Sequence, residues 1–246
     1  MVKQKKLSIF SLNASIIFIL TFFLIILYFY FSSSFEINNV SKAYITNQGD
    51  NTVSIIDLET LKTLKTLEVG VAPLGITILQ KKKLVFVGNV GTDDISVIDA
   101  VNDKLIKTIK LGTAPLSIAS NSEETEVYVT DWFHNNVLTI SANEMKVTRR
   151  LKVGVTPSGI AYNKKYKYQV ITNRDANTLE IYNEDNDLVK KIETGNHPFG
   201  VYSEGDFAYV ANVYDDTVSI INLVDWSKYE FMVGAHPYNV RVHNKI

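Results

Sequence analysis

The chain has 246 residues, 46% of them hydrophobic and 21% charged, and its 25 basic residues nearly balance 26 acidic ones. That length suits one large domain or two small ones, and the even charge excludes a basic nucleic-acid binder and an acidic disordered tail. With no cysteine there is no disulfide frame, thiolate zinc site, c-type haem attachment or lipid-modified cysteine anchor.

In chain order the first element is a hydrophobic run. Lys3, Lys5 and Lys6 precede an uncharged stretch from Leu7 to Phe31, interrupted only by Ser8, Ser11, Asn13, Ser15 and Thr21. A helix of roughly 20 apolar residues crosses ~30 Å of hydrocarbon, so this stretch is long enough to span with some tilt. A cleaved signal peptide has a shorter apolar core of about 7–15 residues, and the bulky Tyr28-Phe29-Tyr30-Phe31 before Ser32-Ser33-Ser34 is a poor cleavage site. The expectation is that residues 1–34 are cytoplasmic lysines plus a transmembrane signal-anchor. Residues 35–246 then form an ectodomain on the extracytoplasmic side, periplasmic or at the cell surface.

The rest of the chain repeats. A Gly-x-x-Pro unit recurs at Gly70–Pro73, Gly112–Pro115, Gly154–Pro157, Gly195–Pro198 and Gly234–Pro237, with prolines 42, 42, 41 and 39 residues apart. Between these lies a second unit: Tyr44-Ile45-Thr46-Asn47, Phe86-Val87-Gly88-Asn89, Tyr128-Val129-Thr130-Asp131, Val170-Ile171-Thr172-Asn173 and Tyr209-Val210-Ala211-Asn212. A third follows nine residues after the start of each, clearest in Val53-Ser54-Ile55-Ile56-Asp57, Ile95-Ser96-Val97-Ile98-Asp99 and Val218-Ser219-Ile220-Ile221-Asn222. Short β-branched runs bounded by Asn, Asp, Gly or Pro read as strands, and a fixed period near forty reads as a propeller with four strands per blade. In blade order these are an inner strand at Gly75–Leu79, then Leu84–Val87, Ile95–Asp99 and an outer strand at Lys104–Leu111.

This pattern resembles the YVTN β-propeller repeat family over residues 42–246. Tyr128-Val129-Thr130, the Val-Ser-Ile-Ile-Asp segments and the five Gly-x-x-Pro units carry the likeness. The resemblance implies an all-β propeller, a fold that serves binding, scaffolding and occasionally enzymatic roles. The first blade lacks its own inner strand, because the equivalent position falls on Phe31. Pro237–Val242 reads as an inner strand without a blade. Pairing the two predicts five blades, 20 strands and a closed monomeric ring with no open edge; an open array that closes only by oligomerising is the alternative.

The Gly-x-x-Pro turns and the loops between second and third strands share one end, the top. The bottom then faces the bilayer, where Lys81, Lys82, Lys83, Lys164 and Lys165 are placed to meet anionic headgroups, or simply solvent. At matched top positions blades one and two are bland. Blades three to five carry Trp132, Phe133, His134, Arg174, Asp175, His197, Phe199, Tyr214, His236 and Tyr238, the composition of a binding hot spot. His197 and His236 at equivalent places, with His134 near, are candidate ligands for a metal or haem; capping of backbone groups is the plainer role for turn histidines. Asp50, Asp57, Asp99 and Asp215 at strand ends read as turn caps. No nucleophile elbow, zincin helix or phosphate loop is present. The reading is a scaffold that presents its membrane-distal face to an envelope protein or an extended polymer. An enzyme or cofactor protein with a histidine-lined central funnel is the alternative, and a passive display repeat the third.

Overall fold

The computed structural model describes Ile25 and residues 40–243. Apart from Ile25, the expected membrane anchor lies outside the described residues, among which no helix is long and apolar enough to cross a membrane.

Five antiparallel sheets follow one another along the chain. The first holds β1 (Lys42–Asn47), β2 (Thr52–Asp57) and β3 (Lys62–Glu68). The second holds β4 (Pro73–Leu79), β5 (Leu84–Asn89), β6 (Asp94–Asp99) and β7 (Lys104–Lys110). In the third are β8 (Pro115–Ser120), β9 (Glu126–Asp131), β10 (Asn136–Ser141) and β11 (Lys146–Lys152). The fourth comprises β12 (Pro157–Asn163), β13 (Tyr168–Asn173), β14 (Thr178–Tyr182) and β15 (Leu188–Glu193). The fifth comprises β16 (Pro198–Glu204), β17 (Phe207–Asn212), β18 (Thr217–Asn222) and β19 (Lys228–Met232). Within each sheet the strands pair in sequence order, and successive inner strands β4, β8, β12 and β16 lie side by side. This is a β-propeller-like arrangement.

The pattern of burial follows from that stacking. A sheet covered on one face alternates apolar and polar residues, whereas one covered on both faces reads as a continuous apolar run. β5 (Leu-Val-Phe-Val-Gly-Asn) is buried at every position after Leu84. Val53, Ile55 and Leu67 of the first sheet pack against Val85, Val87 and Ile98 of the second. Equivalent layers join sheets two and three, three and four, and four and five.

The two sequence signatures prove to be one structural unit. The proline of Gly-x-x-Pro opposes the last residue of the Tyr-Val-Thr-Asn unit in the ladder: Pro73↔Asn89, Pro115↔Asp131, Pro157↔Asn173 and Pro198↔Asn212. The buried asparagine amide donates to third-strand hydroxyls, as from Asn212 Nδ2 to Thr217 Oγ1 (2.9 Å) and Ser219 Oγ (2.8 Å). A Cβ on Gly154 would lie 2.5 Å from the Asn173 side chain, which is why that turn position is glycine.

Two expectations need correction. Nineteen strands, not 20, are formed among the described residues, and the first sheet has three. Residues 237–243 form no strand, so they do not complete the first blade. The Gly200 amide donates to the Tyr238 carbonyl at 2.9 Å, which holds this segment beside β16, where the next inner strand would lie. One backbone bond is not a ladder, and among the described residues the free edge of β1 goes unfilled, with Ile45 exposed. At the bottom, lysines tie one sheet to the next: Lys81 Nζ to the Ser122 carbonyl (3.0 Å), Lys82 Nζ to Asn143 Oδ1 (2.5 Å) and Lys165 Nζ to Asp206 (2.6 Å).

Candidate functional site

The top loops are fastened by a device that the motif reading missed. Four residues after each signature Asn or Asp comes Asn51, Asp93, Asn135, Asn177 or Asp216, every one at positive φ between 53° and 59°. In four of the five, the side-chain oxygen accepts the amide of the residue before the next proline. Asn51 takes Ala72 (2.9 Å), Asn135 takes Thr156 (2.8 Å), Asn177 takes His197 (2.9 Å) and Asp216 takes His236 (2.8 Å). Those four acceptors' partners are themselves left-handed, with φ 52–58°. Two left-handed residues, one capping the other, fix the direction in which His197 and His236 leave the backbone. The signal was present as a five-fold recurrence of Asn or Asp at a constant offset.

On that frame, eight of the ten expected residues come together. Trp132 lies 6.3 Å from Phe199, and Phe199 packs edge-on to Tyr238 at 5.2 Å, centroid to centroid. The Arg174 guanidinium sits over both Trp132 (5.7 Å) and Tyr214 (5.9 Å). Tyr214 in turn touches His197 at 4.2 Å and His236 at 6.2 Å. Asp175 anchors the group: its Oδ1 meets Arg174 Nη1 at 2.7 Å and lies 3.8 Å from His197 Nε2, while its Oδ2 accepts from Thr156 Oγ1 at 2.7 Å. The strip therefore crosses the last three sheets. Stacked rings and a half-buried cation supply contact area at low entropic cost.

Phe133 and His134 stand apart from it. Phe133 is 70% exposed. The His134 ring is held by Asp131 and Thr113 at 3.1 Å, so its position is explained by the turn it caps. His197 and His236 flank Tyr214 rather than converge. Among the described residues, no group of three or more His, Asp or Glu is arranged to hold a metal ion. His197 Nδ1 is nevertheless buried without a partner. The strand-end aspartates act as caps, with Asp57 Oδ1 accepting from Glu59 N and Asp99 Oδ1 from Val101 N, each at 2.8 Å. Asp215 accepts from both the backbone and the side chain of Asn196, which holds its carboxyl below the usual value.

Comparison with known proteins defines the class. No family model matches the chain and no curated protein matches it, but solved structures do. A functionally unknown protein from Desulfotomaculum acetoxidans matches with TM-score 0.74 at 16% identity, over 82% of this chain and 69% of that one. Virginiamycin B lyase from Staphylococcus aureus matches with TM-score 0.71 at 17% identity, over 82% and 70%. A catalytically inactive histidine-to-alanine form of that lyase with quinupristin gives TM-score 0.71 at 16% identity, over the same shares. The chain shares their propeller-like fold.

Proposed function

We propose that this is a YVTN-type propeller, tethered by its N-terminal segment on the extracytoplasmic side of a membrane, that binds an envelope protein or an extended polymer through the top of its last three sheets. The observation that carries this reading is the continuous strip from Tyr238 through Phe199, Trp132 and Arg174 to Tyr214, spaced at 5.2–6.3 Å. Exposed and half-buried aromatic residues around a stacked arginine are the chemistry of interface anchors, and a strip across three sheets suits a ligand that is long rather than compact. No basic surface bias favours nucleic acid.

A photo-crosslinking benzoyl-phenylalanine at Phe133, the exposed chain neighbour of Trp132, should capture the partner in whole cells. The same group at Lys164, an exposed bottom-turn residue, should not. Equal capture at both positions would overturn the reading. The second reading is an enzyme at the same site. It is favoured by the unpartnered Nδ1 of His197 beside Asp175 and by the presence of a lyase among the matched folds. Loss of a small-molecule activity on His197→Ala, with partner capture retained, would select it.

A further inference from the structure

The two ends of the sheet series are bare in a way that the four internal junctions explain. Each junction places the far face of one sheet on the near face of the next. On the far faces, β2, β6, β10 and β14 pair Val53 with Leu67, Ile95 with Ile109, Val137 with Leu151 and Leu179 with Ile192. In the fifth sheet the corresponding pair is Val218 with Phe231. Leu67 is 9% and Ile109 5% exposed, each under the following sheet, but Phe231 is 54% exposed. One pair further along, Ile55, Val97, Thr139 and Ile181 face Lys65, Lys107, Arg149 and Lys190, whereas Ile220 faces Tyr229. On its far face the outer strand of the last sheet has thus exchanged charge for an aromatic ring, Tyr229, at the position where the other four sheets keep a cation. Large exposed apolar patches of this kind mark interaction surfaces.

The near face of the first sheet is bare in the complementary sense. Ile45 is 46% exposed, while its equivalents Val87, Val129, Ile171 and Val210 are fully buried. Leu61 is 77% exposed, yet Met145 and Trp226, at the same turn position and also at positive φ, pack against the apolar layer shared with the preceding sheet. Both faces are uncovered among the described residues, so they do not cover each other within one chain.

We infer that the far face of the fifth sheet docks on the near face of the first sheet of a second copy of this chain. The internal junctions show what covers a far face, namely the near face of a sheet of the same repeat, and the first sheet is the one that presents such a face free. The contact is heterologous, head to tail, so assembly proceeds beyond the dimer unless a ring closes.

Sedimentation of the full chain tests this with two substitutions, Phe231→Lys on the far face and Ile45→Lys on the near face. Both side chains are exposed, so the isolated fold should keep its circular dichroism and melting temperature. The wild type should show a weight-average mass that rises with concentration to twice the monomer or more. Each single variant should remain monomeric. An equimolar mixture of the two should form a dimer and stop there, because it holds one intact far face and one intact near face. A monomeric wild type, association insensitive to either substitution, or a mixture that stays monomeric would each overturn the proposal. Protection of residues 43–45 and 231–233 from hydrogen exchange in a monomer would identify closure within one chain instead.

Discussion

Replacing Asn177 dissects how the top loops hold the strip. Its Oδ1 accepts the His197 amide at 2.9 Å, and its own φ is 53°. Asn177→Ala removes the bond, at about 1 kcal/mol, and places a residue with a Cβ but no local polar compensation in the left-handed region, at about 1 kcal/mol more. The expected loss is roughly 2 kcal/mol. Asn177→Gly loses the bond but tolerates the backbone, so about half that loss is expected. Asn177→Asp keeps an acceptor, as Asp216 does for His236 in the next repeat, and should lie within about 0.5 kcal/mol of wild type. Urea unfolding followed by circular dichroism, with the slope held common, measures all three. If the glycine variant were as damaged as the alanine variant, the backbone contribution would be refuted. If all three stayed within about 0.5 kcal/mol, the capping account would fail altogether.

Other outcomes follow from the same structure. A Cβ on Gly159 would lie 2.3 Å from the Phe199 carbonyl and 2.8 Å from Thr172 Oγ1, so Gly159→Ala should cost about 2–3 kcal/mol, whereas Gly49→Ala, with nothing within 4 Å, should be neutral or slightly stabilising by thermal melting. Tyr44, Tyr128, Tyr162 and Tyr182 are each pushed well above the ordinary value of 10.0, first by burial and then by a carboxylate neighbour. Their stabilisation is complete below that unfolded value and lost as pH rises through the folded ones, so the part of the tyrosinate absorbance that these four rings contribute, identified by Tyr→Phe substitution at each, should appear together with unfolding and not before it. The Asp215 carboxyl is held below 3.8 by Asn196; its contribution is present above that value and lost as pH falls through the folded one, so Asp215→Asn should flatten the acid limb of the stability curve below about pH 4.

Much of the fold was legible because its physics is local and repeated. The 42-residue spacing of Pro73, Pro115 and Pro157 places every strand to within a few residues. At Gly70, Gly154 and Gly195 the Tyr-Val-Thr-Asn and Gly-x-x-Pro units recur together because the asparagine side chain and the glycine occupy one packed junction, whereas Gly112 is required by its positive φ of 70°. Ring closure was not legible. Pro237–Val242 has the composition of an inner strand, but whether it reaches β1 depends on the rotation between successive sheets, which no single repeat encodes. At the site, aligning equivalent loop positions found Trp132, Arg174, Phe199 and Tyr214 because all project from the same end. The same alignment could not separate His134, which the buried Asp131 beneath its own turn holds. The role of Asn177 was hidden for a different reason: its side chain serves the backbone of the neighbouring turn, so it is conspicuous only as a periodic asparagine.

The reading that the strip on the last three sheets binds a partner is tested most directly by native mass spectrometry of the protein extracted in mild detergent from the cells that make it. Wild type and the double variant Trp132→Ala, Arg174→Ala should be compared side by side. The account predicts an additional retained mass on the wild type that is lost from the double variant, both remaining folded. The same retained mass on both proteins, or none on the wild type, would contradict it.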